Sequence, residues 1–169
     1  MRVFNFHEFS DYASDSLLES IIHDATHEER IMMLFGILDN MLKNLYNLNF
    51  NEESSEPREC VHAAIDMVSF LKNSLTVHKD RSFNAAYKRF FTSIYRKIID
   101  AHEKGTNEEF QTIRASVAKL TSPPFSKGFF SNLSREISTD DDKIIRYLVS
   151  HMTKTPYFRL VPPVQHKLN

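Results

Sequence analysis

Stretches with an apolar residue at every third or fourth position alternate along this chain with short polar breaks, and the longest of them opens at Ala25-Thr26. Thr26 and Glu29 have the spacing of a capping box, in which the hydroxyl accepts the Glu amide proton and the carboxylate accepts from the Thr amide. Beyond it Ile31, Leu34, Phe35, Leu38, Leu42 and Leu45 make one stripe, and Met33, Ile37 and Met41 a second row beside it. An apolar arc this wide predicts a helix from His27 to about Asn49 that is covered on more than one side, either deep in a bundle or by another chain lying in a groove.

The same periodicity predicts further helices. A short one from Tyr12 to Asp24 has Leu17, Leu18, Ile21 and Ile22 as its apolar face, with Asp11, Asp15 and Glu19 favouring its positive end. An acidic linker, Asn-Phe-Asn-Glu-Glu-Ser-Ser-Glu-Pro, leads to Pro57 in the first turn of a third helix carrying Val61, Ala64, Ile65, Val68, Leu71 and Leu75, which stops near Val77. Ser82 or Asp80 caps a fourth, with Phe83, Ala86, Tyr87, Phe90, Ile94, Ile98 and Ala101 inward and Gly105 closing it. A fifth, about Asn107 to Leu120, shows Phe110, Ile113, Val117 and Leu120 before Ser122-Pro123-Pro124 breaks the pattern.

Short connections between amphipathic helices make neighbours antiparallel, so the expected fold is all-α, an up-and-down bundle of four to five helices over residues 1–122. Residues 123–169 read as an extension packed on that bundle. Phe125, Phe129, Phe130, Leu133 and Ile137 are expected to fold back out of water, and Thr139-Asp140-Asp141-Asp142 to cap one more helix through about Met152. Pro156-Tyr157-Phe158 and Val161-Pro162-Pro163 favour an extended end with aromatic anchors.

Composition agrees with helices: 169 residues carry 3 Gly and no Trp, enough chain for one domain with a real core. The single Cys60 excludes an intramolecular disulfide, which fits a reducing cytosol, with a buried thiol as its default state. No leader-like segment and no apolar run of membrane-spanning length is visible, so the expectation is a cytoplasmic protein without membrane insertion. A net charge of -1 argues against a general grip on nucleic acid. Its distribution is uneven: residues 1–59 hold 4 Lys and Arg against 12 Asp and Glu, whereas 60–122 hold 10 against 6 and 123–169 hold 7 against 4. Acidic and basic parts therefore face each other or two different partners.

Chemistry-bearing constellations are sparse. His23 and His27 have an i, i+4 metal spacing, but the capping box sets a helix boundary between them. His62 and Asp66 share that spacing, which is used in di-iron and hemerythrin-like bundles, whereas His78 and His102 fall in or beside turns. Arg96 and His102 fit the loose Arg-x(4 to 6)-His pattern of HEPN-type helical ribonucleases, with His as base and Arg on phosphate charge. Three glycines leave no room for a phosphate-binding loop. In Tyr87-Lys88-Arg89-Phe90-Phe91 the helical spacing sends Lys88 and Arg89 outward as a solvated face. The expectation is a binding protein rather than an enzyme, with neither metal nor cofactor.

Several motifs resemble the flagellar secretion chaperones of the FliS family over roughly residues 12–120. Tyr12-Ala13 with Glu19-Ser20 is similar to that family's Tyr-Ala…Glu-Ser segment, and Ala25-Thr26 through Ile31 and Met33-Leu34-Phe35 to its Ala-Ser-Pro-x-x-Leu-Ile-x-Met-Leu-Phe/Tyr signature. Ala64-Ile65-Asp66-Met67-Val68, Leu71-Lys72 and Ser74-Leu75 resemble its Ala-Ile-Asp-Ile-Ile…Leu-Lys-x-Ser-Leu helix, and Arg96-Lys97-Ile98-Ile99-Asp100-Ala101 its Arg-Arg-Leu-Leu-x-Ala. Thr26-His27 has no proline, and Asp80-Arg81 stands where the family has Gly-Gly. The resemblance implies a cytoplasmic export chaperone that holds the C-terminal amphipathic segment of flagellin, prevents its polymerisation and meets the export apparatus, or else a co-chaperone or adaptor with another client. Client contact is then expected from the second apolar row and its neighbours, Met33, Ile37, Met41, Met67, Phe70, Phe91 and Tyr95, the methionines suiting a surface that accepts related sequences. On this reading a Met33 plus Ile37 to Glu double change weakens client binding and leaves helicity intact.

Overall fold

The computed structural model describes residues 15–47, 56–75, 82–137 and 140–154. Among them the chain is all-α, in seven helices: α1 Asp15–Asp24, α2 His27–Asn47, α3 Glu56–Asn73, α4 Ser82–Lys104, α5 Glu108–Thr121, α6 Ser126–Glu136 and α7 Asp141–Lys154. The expected starts at Tyr12, cap at Asp80 and stop near Val77, the side chain of Phe83, the position of His78 and the proline-rich end all lie outside the described residues.

Local chemistry sets the boundaries. At α2 the Glu29 amide donates to Thr26 Oγ1 at 3.1 Å and the Thr26 amide to Glu29 Oε1 at 2.9 Å, so the capping box closes in both directions. Gly105 ends α4 at φ +67°, its amide donating to Ala101 O at 3.0 Å. Asp140 caps α7, its Oδ1 accepting from the Lys143 amide at 2.9 Å. Pro57 stands in the first turn of α3, where no intrahelical partner is lost.

The contacts divide the chain into two compact units, Met1–Asn40 with Asp140–Asn169, and Met41–Thr139. Residues 123–169 are thus shared between the units. In the first, α1 and α7 pack together, and Leu18, Ile22, Ile144 and Leu148 are buried. Leu17, expected on the apolar face, is 51% exposed, because Leu18 and Ile22 turn their side of this short helix inward.

In the second unit α3 packs on α4, α4 on α5, and α6 on both α4 and α5. The buried face of α4 is Tyr87, Phe91, Ile94, Ile98 and Ala101, and Ala86 is exposed. Helix α6 supplies Phe130 and Leu133 to this core. Phe129 stands edge-on to Tyr87, Phe90 and Phe130 with ring centroids 5.2–5.9 Å apart, and Tyr87 Oη donates to Phe129 O at 3.1 Å. Phe125 is 60% exposed. It precedes the first turn of α6, outside the stripe that Phe130 and Leu133 turn inward.

Candidate functional site

Both apolar rows of α2 are core. Ile31, Leu34, Leu38, Leu42 and Leu45 are fully buried, and so are Met33, Ile37 and Met41. What remains partly open on α2 is a narrow stripe through Met32, Gly36, Asp39 and Lys43 to the exposed Tyr46. Of the residues expected to touch a client, Met67 and Phe91 are also fully buried, Phe70 is half-buried and Tyr95 is exposed. The row therefore offers no open groove in this arrangement. The physical reason is the breadth of the apolar arc, which is as well satisfied by packing within the chain as by a client. Substituting Glu for Met33 and Ile37 puts two charges in the core, so that double change breaks the fold before it reports on binding.

Helix α2 also buries three polar residues that its hydrophobic pattern conceals: Glu29, Arg30 and Asn40. Glu29 is held in the capping box. Asn40 has no hydrogen-bond partner on Nδ2 or Oδ1 among the described residues, an arrangement that costs about 1–3 kcal/mol. The Arg30 guanidinium donates from Nε to Ile22 O at 3.0 Å and from Nη2 to His23 O at 2.9 Å, satisfying two carbonyls in the last turn of α1. Its Nη1 lies 3.4 Å from Asp141 Oδ2, and His27 Nδ1 lies 2.7 Å from Asp141 Oδ1. One carboxylate at the start of α7 is thereby tied to the first turn of α2. This junction is not readable from spacing, since its members are more than a hundred residues apart.

A second site of charge lies in the other unit. Lys72 at the end of α3 and Lys88, Arg89, Thr92, Ser93, Arg96 and Lys97 along α4 line a groove of about 550 Å³. Arg89 and Lys97 are exposed, and none of the five cations has an ion pair among the described residues. The face lies opposite the buried side of α4, as the Lys88-Arg89 spacing predicts.

The enzyme-like constellations do not converge. His23 closes α1 and His27 opens α2, so the pair shares no helix. His62 and Asp66 are exposed on α3, and among the described residues no group of three or more His, Cys, Asp or Glu could hold a metal ion. Arg96 and His102 both sit within the continuous α4, where six residues turn the side chains about 120° apart. Cys60 is buried, with its thiol 3.7 Å from Met41 O. The Tyr87 phenol, which is part of the core packing, is pushed up to about 12 by burial and, secondarily, by the Glu136 carboxylate. No described helix is long and apolar enough to cross a membrane. No family model matches the chain, and no curated protein matches it in sequence.

Proposed function

We propose that this chain is a FliS-like export chaperone, a helical bundle that holds the C-terminal amphipathic segment of flagellin before secretion. The observation that carries the reading is α7. This amphipathic helix from the far end of the chain packs on α1 through a unit whose buried residues include Ile144 and Leu148, and Asp141 ties its first turn to His27 and Arg30. The unit thus accepts an amphipathic helix by apolar burial with a polar anchor at one end, the mode by which helical segments are recognised in grooves. A client takes the place of α7. On this reading the chain's own helix occupies the client's seat beside α1.

That closure also favours a second reading, a co-chaperone or adaptor sharing the bundle but serving another client. Calorimetry with a synthetic flagellin C-terminal peptide separates the two. The chaperone reading expects binding to the full chain, and tighter binding to the Ile144→Ser, Leu148→Ser variant, in which α7 docks less firmly. No binding to either protein refutes it. Capture of a separate FliS-type bundle without flagellin establishes the adaptor.

A further inference from the structure

From Ser69 to Lys97 the sequence carries 7 Lys and Arg and a single Asp, although the whole chain has a net charge of -1. The fold concentrates five of these cations on one groove, with Lys72 contributed by α3 and the rest by α4. We propose that this groove is a docking site for an acidic amphipathic helix of a partner protein, separate from whatever α1, α2 and α7 hold.

The arrangement of the lining carries the choice of partner. Along α4 the lining residues fall into three layers, Lys88 with Arg89, Thr92 with Ser93, and Arg96 with Lys97. Successive layers are four residues apart, about 6 Å along the helix axis. A second α-helix with Asp or Glu at every fourth position repeats its carboxylates at the same rise and with the same turn of about 40° per step, so one acidic side of it offers an acceptor at the depth of each layer. The outer carboxylates face the cations, and the middle one accepts from the hydroxyls of Thr92 and Ser93. The furrow between two packed helices is also the shape into which a third helix fits.

The chemistry of the lining disfavours nucleic acid. All seven lining side chains are cationic or hydroxylic, and a single aromatic at the margin makes no run of faces on which successive bases could stack. Tyr95 lies beside the strip, about 20° round α4 from Lys88, and is 37% exposed. It gives the acidic helix an apolar edge to cover. Single exposed ion pairs are weak, so recognition here depends on several acting together and on low ionic strength.

The test uses the full chain and a fluorescent helical peptide of about 20 residues with Glu at every fourth position, followed by anisotropy. Expected is saturable binding that falls at least tenfold in Arg89→Glu, Arg96→Glu, with Lys119→Glu on α5 behaving as the parent. Circular dichroism checks that each variant retains its helices, and the exposed Arg89→Gln, Arg96→Gln pair provides a milder loss of charge. Equal binding of a peptide with Gln in place of Glu overturns the proposal. So does tighter binding of a single-stranded oligonucleotide, full competition by millimolar inorganic phosphate, or salt-sensitive self-association that the same reversals abolish. Flagellin-peptide binding measured on these variants stays at the parent level, which keeps the two sites' outcomes distinct.

Discussion

Replacing Arg30 by Met keeps much of the side chain's length and apolar stem but removes the guanidinium that joins three helix ends. Two charge-assisted hydrogen bonds are lost, to Ile22 O at 3.0 Å and His23 O at 2.9 Å. Bonds to a charged group contribute about 1.5–3 kcal/mol each, so the pair accounts for about 3–6 kcal/mol. The third arm adds little, because the Asp141 side chain is 48% exposed and its pairing at 3.4 Å is screened by water. Against a typical total of about 5–15 kcal/mol, this loss lowers the melting temperature by roughly 6–24 °C. Denaturant unfolding followed by far-ultraviolet circular dichroism measures it, with Asp141→Asn as the control that removes the screened arm together with the charge facing His27, both solvent-exposed at Asp141, and costs about 1 kcal/mol or less. A loss below about 1 kcal/mol for Arg30→Met refutes the reasoning. An Asp141→Asn loss equal to that of Arg30→Met refutes it too, since the ion pair would then be the dominant link.

Gly105→Ala is expected to cost about 1–2 kcal/mol through backbone strain at φ +67° alone, since an added Cβ meets nothing within 4 Å. Gly105→Asn costs less, and a neutral Ala variant in thermal melts refutes the strain argument. Stability is also expected to fall as pH rises from about 10 to about 12. The Tyr87 phenol keeps its proton in the fold up to about 12, whereas the unfolded chain releases it near 10.0, so the folded state binds more protons throughout that window. Its contribution is complete below pH 10 and amounts to about 1–3 kcal/mol. Tyr87→Phe removes this part of the slope in alkaline denaturation, and an unchanged slope assigns the loss to other groups.

What the sequence determined by itself are features written within one helical turn. The Thr26-Glu29 capping box, the Asp140 cap, the Gly105 stop and the break after Thr121 each involve residues no more than four positions apart. The spacing of Ile31, Leu34, Leu38, Leu42 and Leu45 likewise required α2 to bury that stripe. Tertiary structure decided what covers a surface and which of two adjacent residues turns inward. It put Met33, Ile37, Met41, Met67 and Phe91 in the core, exposed Leu17, Ala86 and Phe125, and formed α6 from a stretch rich in Ser with Gly128, whose weak helix propensity is overcome by burying Phe130 and Leu133. Joining Arg30 to Asp141 and gathering Lys72 with the cations of α4 also required the fold. Periodicity records that a face is apolar or charged, but burial and pairing are set by neighbours distant in the chain, which no local pattern names.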